Sequence, residues 1–428
     1  MDGHFRRQAA YSGLTSGTSM TDTSDGQPTA TVPSDATAPP APQRRMVLAA
    51  KGLLPLLLLA ALLAVFARIG PVGVFRTAFP PIEELTFERI AFPEPGLIRV
   101  HMVNGGPEPV TVAQVIVDDA YWEHTVMPDR LVGRLDDIVV EIPYPWVDGD
   151  PLAISIVSST GVTFTQEVAV ATQSPQFNRS YVVTFALLGT YVGIIPVFLG
   201  LLWLPFLSGV GPRWVDFFLS FTVGLLLFLG VDAVEGALDL SGRVASAFQG
   251  VGLIVLGVVG TPLVIHTANI MGRRDSELTP VGLSTLIAIA IGLHNLGEGL
   301  AIGSSYAIGE VALGTSLVFG FLLHNTTEGL GIVAPLARSR PSLAKLATLG
   351  LIAGVPTILG TWIGGFSYSP TASVLFLAIG AGAIVQVIVV VGKSMGSHGR
   401  GGLMTPLNTA GLVGGLLVMY ATGLFVAA

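Results

Sequence analysis

The chain has 428 residues, 51% of them hydrophobic and 11% charged, where an average soluble domain carries about 25% charged residues; with a mean hydropathy of +0.71 it reads as a polytopic membrane protein. The formal net charge of -7 offers no clustered basic surface for nucleic acid, and the absence of cysteine excludes thiolate metal sites, disulfides and thiol catalysis. Any metal site must be built from imidazole, carboxylate, amide or water.

Residues 1–43 are rich in Ser, Thr, Pro, Gly and Ala without a periodic apolar face, which predicts a disordered tail. Arg44-Arg45 then precede a mainly apolar run from Met46 to Ala67. At about 22 residues it suffices for a hydrocarbon core of about 30 Å, so a first transmembrane helix is expected over 44–68. The flanking arginines keep the tail cytoplasmic. From 80 to 175 the texture changes to short alternating segments, such as 97–103, 110–117, 137–142 and 152–157, bounded by Gly, Pro and Asp. A period of two predicts antiparallel strands, six or seven in all, as a small extracytoplasmic β-sandwich. A spacer or dimer-contact module is the favoured role. Metal capture by His101, His124, Asp118-Asp119 or Asp136-Asp137 is the weaker reading, because acidic pairs commonly form turns.

Eight further apolar segments follow, at about 181–204, 214–238, 248–271, 281–308, 311–337, 344–366, 372–392 and 406–427. If the first starts outside, Arg213, Arg273, Arg274, Arg338, Arg340, Lys345, Lys393 and Arg400 all fall inside, against Arg179 and Arg243 outside. That asymmetry predicts nine transmembrane helices, with the β domain and the C-terminus outside. The fold class expected is an all-α polytopic membrane protein with an eight-helix core over 180–428, plus the added N-terminal helix and β-sandwich. Glycine-rich helices in lipid pack backbone to backbone, and the chain has 53 glycines.

Within these spans one motif occurs twice. Leu293-His294-Asn295-Leu296-Gly297-Glu298-Gly299-Leu300 on the fourth core helix returns as Leu323-His324-Asn325-Thr326-Thr327-Glu328-Gly329-Leu330 on the fifth. An ionised side chain at a bilayer centre costs about 2.5 to 3.5 kcal/mol on insertion scales, so it persists only with a partner or a task. Each His lies one helical turn from its Glu on the same face, so four side chains can converge on a cation. Two imidazoles with two carboxylates suit Zn(II), Fe(II), Mn(II) or Co(II). Asn295 and Asn325 are additional ligands or hydrogen-bonding groups that orient the ligands. Gly299 and Gly329 are expected to let the two helices come close enough to share the ion. The bland alternative is an interhelical hydrogen-bond cluster that merely specifies packing. Asp232 and Glu235, on the second core helix, read either as a solvated helix end or as a cation entrance. His266, on the third, reads as a packing residue or a gate.

The pair of runs His294-Asn295-x-x-Glu298-Gly299-Leu300 and His324-Asn325-x-x-Glu328-Gly329 resembles the signature on the fourth and fifth helices of the ZIP family of divalent-metal transporters, and its bacterial zinc-supply branch most closely. The resemblance implies a transport-metal site at His294, Glu298, His324 and Glu328 with Asn295 and Asn325 beside it, core termini facing outward, and a homodimer. The chain departs from the family pattern where prolines are usual, at Gly297 and Thr327, and has Thr357 where a sixth-helix glutamate is common. One strong metal site is therefore expected. The functional expectation is a plasma-membrane transporter moving a divalent cation, zinc first, towards the cytoplasm, with no enzymatic activity and no cofactor. Two rival readings are a transport-inactive metal sensor and a membrane-embedded metallohydrolase, the latter disfavoured by the lack of a His-Glu-x-x-His segment.

Overall fold

The structure is a computed structural model that describes residues 42–69, 82–272, 279–307, 311–397 and 404–427. The expected tail up to residue 41, and Arg273, Arg274 and Arg400, lie outside the described residues. The chain divides into two compact units, Met1–Pro80 and Pro81–Ala428.

In the first unit, Pro42–Ile69 forms helix α1, with Pro55 inside it. Leu53, Leu54, Leu56, Leu57, Leu58, Leu59, Leu62 and Leu63 are all more than half exposed. A helix apolar on every side is one whose solvent is lipid or protein rather than water.

The second unit begins with nine strands: β1 (Leu85–Glu94), β2 (Leu97–Asn104), β3 (Val110–Val117), β4 (Ala120–Trp122), β5 (Thr125–Met127), β6 (Leu131–Val132), β7 (Asp137–Ile142), β8 (Leu152–Ser158) and β9 (Thr163–Val168). They form two small sheets, in the orders β1-β2-β7-β5 and β4-β3-β8-β9, with β6 on β3. All pairs are antiparallel. The alternation read from the sequence is the burial pattern: Ile98, Val100 and Met102 point inward from β2, and Leu152, Ile154 and Ile156 from β8. These share one core with Val115, Val117 and Val140, so the two sheets bury their apolar faces against each other. Nine strands thus stand among the described residues where six or seven were expected; β1 and β9, which end the two sheets on one side, lie inside the expected 80–175 domain.

The helices follow at the expected positions. The first core segment is broken into α2 (Arg179–Gly189), a π-helical turn (Thr190–Ile194), α3 (Ile195–Leu201) and α4 (Leu204–Gly209). Then come α5 (Pro212–Ser241), α6 (Gly250–Gly272), α7 (Pro280–Ala307), α8 (Val311–Val333), α9 (Leu343–Phe366), α10 (Pro370–Ser397) and α11 (Pro406–Ala427). Among the described residues eight helical segments are long and apolar enough to cross a membrane, the broken first one included. The molecule is a multi-pass membrane protein of mostly helical structure. Two packing groups stand out. In one, α9 lies along α7 and against α2, while α8 packs on α3 and α7; in the other, α5 packs on α10 and α11, and α10 on α6. Contact between α7 and α10 joins them.

The sheets sit on the helix ends that carry Arg179, Arg243 and Phe366. Arg89 donates through Nη1 to the carbonyl of Phe366 at 3.0 Å, satisfying an orphan acceptor at the C-terminus of α9. Phe177 and Phe185 each stack edge-on against Phe366, with centroids 5.2 Å apart. On the other helix group, the Glu84 carboxylate accepts from the backbone N–H of Ser246 at 2.8 Å and from its hydroxyl.

Candidate metal centre

The repeated motif folds as its spacing requires. Helices α7 and α8 are separated by residues 308–310 alone, a connection short enough to make them antiparallel neighbours. His294 and Glu298 project from the middle of α7, His324 and Glu328 from the middle of α8, and all four are buried, 3% to 5% exposed. One ligand atom from each lies within 4.8 Å of all the others. Zinc bonds of about 2.0 to 2.2 Å place tetrahedral ligand atoms about 3.4 Å apart, so the widest separation in the set exceeds that of a closed site by about 1.4 Å.

The partners within the cluster are unequal. Glu298 Oε1 lies 3.2 Å from His294 Nε2 and is also in contact with His324 Nε2. Glu298 Oε2 accepts from Asn325 Nδ2 at 2.9 Å. By contrast, the buried oxygens of Glu328 receive no bond of full hydrogen-bond geometry, although the Asn295 amide interacts with this carboxylate, and His294 Nδ1, Asn295 Oδ1, Asn325 Oδ1 and Thr357 Oγ1 are buried without a partner. Buried polar groups are normally satisfied, and leaving one unmade costs about 1 to 3 kcal/mol. A cluster serving only packing would pair these atoms. Lone pairs gathered from two carboxylates and two imidazoles are instead what a cation completes.

Each copy of the motif is seated on a proline-bearing helix in the same way. On α9, Pro356 lacks the N–H that would bond the carbonyl of Ile352, and Asn295 donates to the next carbonyl, Ala353, at 3.1 Å. On the first core segment, Pro196 lacks the N–H that would bond the carbonyl of Val192, and Asn325 donates to that carbonyl at 3.0 Å. A Cβ on Gly299 would lie 3.0 Å from Cα of Gly360, and one on Gly329 would lie 2.8 Å from Cα of Gly200. Carbonyl and glycine are thus at 353 and 360 in one seat and at 192 and 200 in the other. The extra residue in the second seat is the one that the π turn at Thr190–Ile194 inserts.

This corrects one expectation. Gly299 and Gly329 do not bring α7 and α8 together; they face α9 and α3. The physical reason is that each glycine follows its glutamate and so points about 100° away from the site. Close approach serves the seats, while the His and Glu side chains of the cluster meet by their length.

Towards the sheet-bearing end the site is roofed by Val192, Ile302, Val318 and Phe321, with Leu188, Tyr306 and Leu317 against them. The Phe321 ring lies 5.2 Å from the His324 ring. Asp232 and Glu235 are exposed on α5, and His266 is exposed on α6, outside the cluster. Thr357 is fully buried on α9, where its side chain packs beside Gly193. Among the described residues no other group of three or more His and carboxylate side chains is placed to hold an ion. Val192, whose carbonyl ties the first core segment to the site, was missed in the sequence; the signal was Pro196 inside an apolar run. Comparison of the chain with models of known families and with curated proteins gives no match.

Proposed function

We propose that this protein is a membrane transporter for a divalent transition-metal cation, bound in mid-membrane by His294, Glu298, His324 and Glu328. One observation carries the reading: the duplicated motif converges on a buried cluster in which one potential ligand atom from each of the four side chains lies within 4.8 Å of the others. The doubled signature, with its resemblance to the ZIP family, points the same way. Two carboxylates offset the charge of a partly dehydrated cation, and imidazoles supply directional bonds. Zinc fits this donor set best, with iron and manganese next. The apolar roof closes one side, as alternating access between two helix groups requires. The charge asymmetry of the loops supports an orientation with the sheets and the C-terminus outside; the resemblance favours a plasma-membrane homodimer that carries the ion towards the cytoplasm.

The test is uptake of zinc, iron, manganese and cadmium into proteoliposomes by wild type, His294→Ala and Glu328→Ala. Saturable flux in wild type, reduced to background in both variants, is the expected result. Binding without flux in wild type would instead make the protein a metal sensor. Because the ligands must be deprotonated to bind, zinc affinity should fall as pH drops; an affinity flat from mildly acid to mildly alkaline pH would remove that coupling.

A further inference from the structure

We infer that Asn325 is the positioning residue of the site: it fixes the Glu298 carboxylate as a permanent anchor and leaves Glu328 as the ligand that exchanges. The inference rests on the metal-site reading above and adds a division of labour between two copies that the sequence makes look equivalent.

The Asn325 side-chain nitrogen lies 3.0 Å from the carbonyl oxygen of Val192 and 2.9 Å from Glu298 Oε2. Both partners are acceptors, so the orientation of the amide is settled by chemistry: its two N–H groups face them. An amide nitrogen with both hydrogens engaged offers a cation nothing, and Oδ1 is turned away from the carboxylate that the nitrogen holds. The Val192 carbonyl is available because residue 196 is proline, and the π turn presents it. Asn325 thereby joins three elements, the first core segment, α7 and α8, at one nitrogen.

Its counterpart does less. Asn295 donates to the carbonyl of Ala353, and although its amide also interacts with Glu328, neither Glu328 oxygen receives a bond of full hydrogen-bond geometry. Glu298 is consequently held at both oxygens, by Asn325 on one side and against the two imidazoles on the other, while Glu328 is held less tightly, by the weaker approach of Asn295 alone. A carrier needs this inequality. Ligands that were all rigidly held would retain the ion, and ligands that were all free would cost ordering entropy on every binding event.

The test uses the purified full chain in detergent and reads zinc affinity by calorimetry, the visible spectrum of the Co2+-loaded protein, and melting temperature. Asn325→Ala and Asn325→Asp should each weaken zinc binding about 10- to 100-fold, the range seen when a group orienting a metal ligand is removed, and both should alter the Co2+ spectrum. The aspartate is the decisive variant, because it adds negative charge and a better ligand but removes both donors. Asn295→Ala should lose about tenfold less affinity than Asn325→Ala. Trp362→Phe, which deletes the 2.9 Å bond from α9 to the Val182 carbonyl, should lower melting temperature and leave the Co2+ spectrum unchanged. Zinc bound as tightly by Asn325→Asp as by wild type would make Asn325 a ligand and overturn the inference. Equal losses in the two alanine variants would overturn the division between anchor and exchanging ligand. Should Asn325→Asp fail to fold, Asn325→Ser takes its place, since a hydroxyl supplies one donor for two acceptors. A wild type that binds neither zinc nor Co2+ would remove the metal-site reading itself, a result distinct from either of these.

Discussion

Gly299 and Gly360 illustrate how much of this molecule is decided by a missing Cβ. A methyl group on Gly299 would meet the backbone of Thr357, Gly360 and Thr361, none of which is the yielding end of a flexible side chain. Gly299→Val should therefore cost about 3 kcal/mol, the upper end of overpacking penalties, read as loss of stability in detergent. Gly260 on α6 has open space where its Cβ would stand, so Gly260→Val should stay within about 0.5 kcal/mol. His101 supplies a second residue-scale prediction. Burial first, then the Arg89 and Arg99 guanidiniums, hold its imidazole below the usual value of 6.5, and Asp137 opposes them in part. A depressed histidine binds its proton better in the unfolded chain, so its contribution is complete above 6.5 and is lost as pH falls from 6.5 through the folded value. The acid limb of a stability-versus-pH curve should flatten in His101→Gln; an unchanged limb would assign it to other groups.

At the scale of elements, what the sequence disclosed follows from periodicity. The eight apolar segments and the strands at 97–104, 110–117, 137–142 and 152–158 were visible because one repeating pattern fixed both type and span. The buried cluster of His294, Glu298, His324 and Glu328 was visible because ionisable residues stand out in an apolar run, twice, at one spacing. Other features could not be read this way. β1 buries Leu85, Ala91 and Phe92 without strict alternation, since register shifts interrupt its pairing with β2. The π turn has no periodic signature, and the partnership of Asn325 with Val192 spans residues far apart in sequence. The apolar roof is likewise a tertiary product, assembled from the first core segment, α7 and α8. It can be probed directly because the chain has no native cysteine. Val318, 8% exposed, should as Val318→Cys react with a water-soluble maleimide at least about tenfold more slowly than Tyr121→Cys, whose parent residue is 72% exposed. Equal rates would mean that the roof stands open in solution.

For the whole molecule, the sheets are held by contacts to both helix groups. Arg89 caps α9, which seats Asn295 and carries Thr357; Glu84 grips Ser246, in the link between α5 and α6. The two attachments differ in chemistry. The Arg89 guanidinium is partly buried, and desolvation pulls it below its ordinary value, so its bond to the Phe366 carbonyl replaces water that it has lost. Glu84 instead accepts from a backbone N–H and a hydroxyl at a more open surface. Hydrogen bonds to charged groups contribute about 1.5 to 3 kcal/mol, which sets the expected loss in Arg89→Met near the upper value and in Glu84→Ala near the lower. Neither residue belongs to the buried His/Glu cluster, and neither contact is part of the seats of α7 and α8 on α9 and α3. Zinc affinity should accordingly hold within about twofold in both, while chemical denaturation shows the destabilisation. A large fall in affinity for Arg89→Met alone would mean that the end of α9 sets the geometry of the seat built around Pro356, making the sheets part of the binding apparatus rather than its attachment.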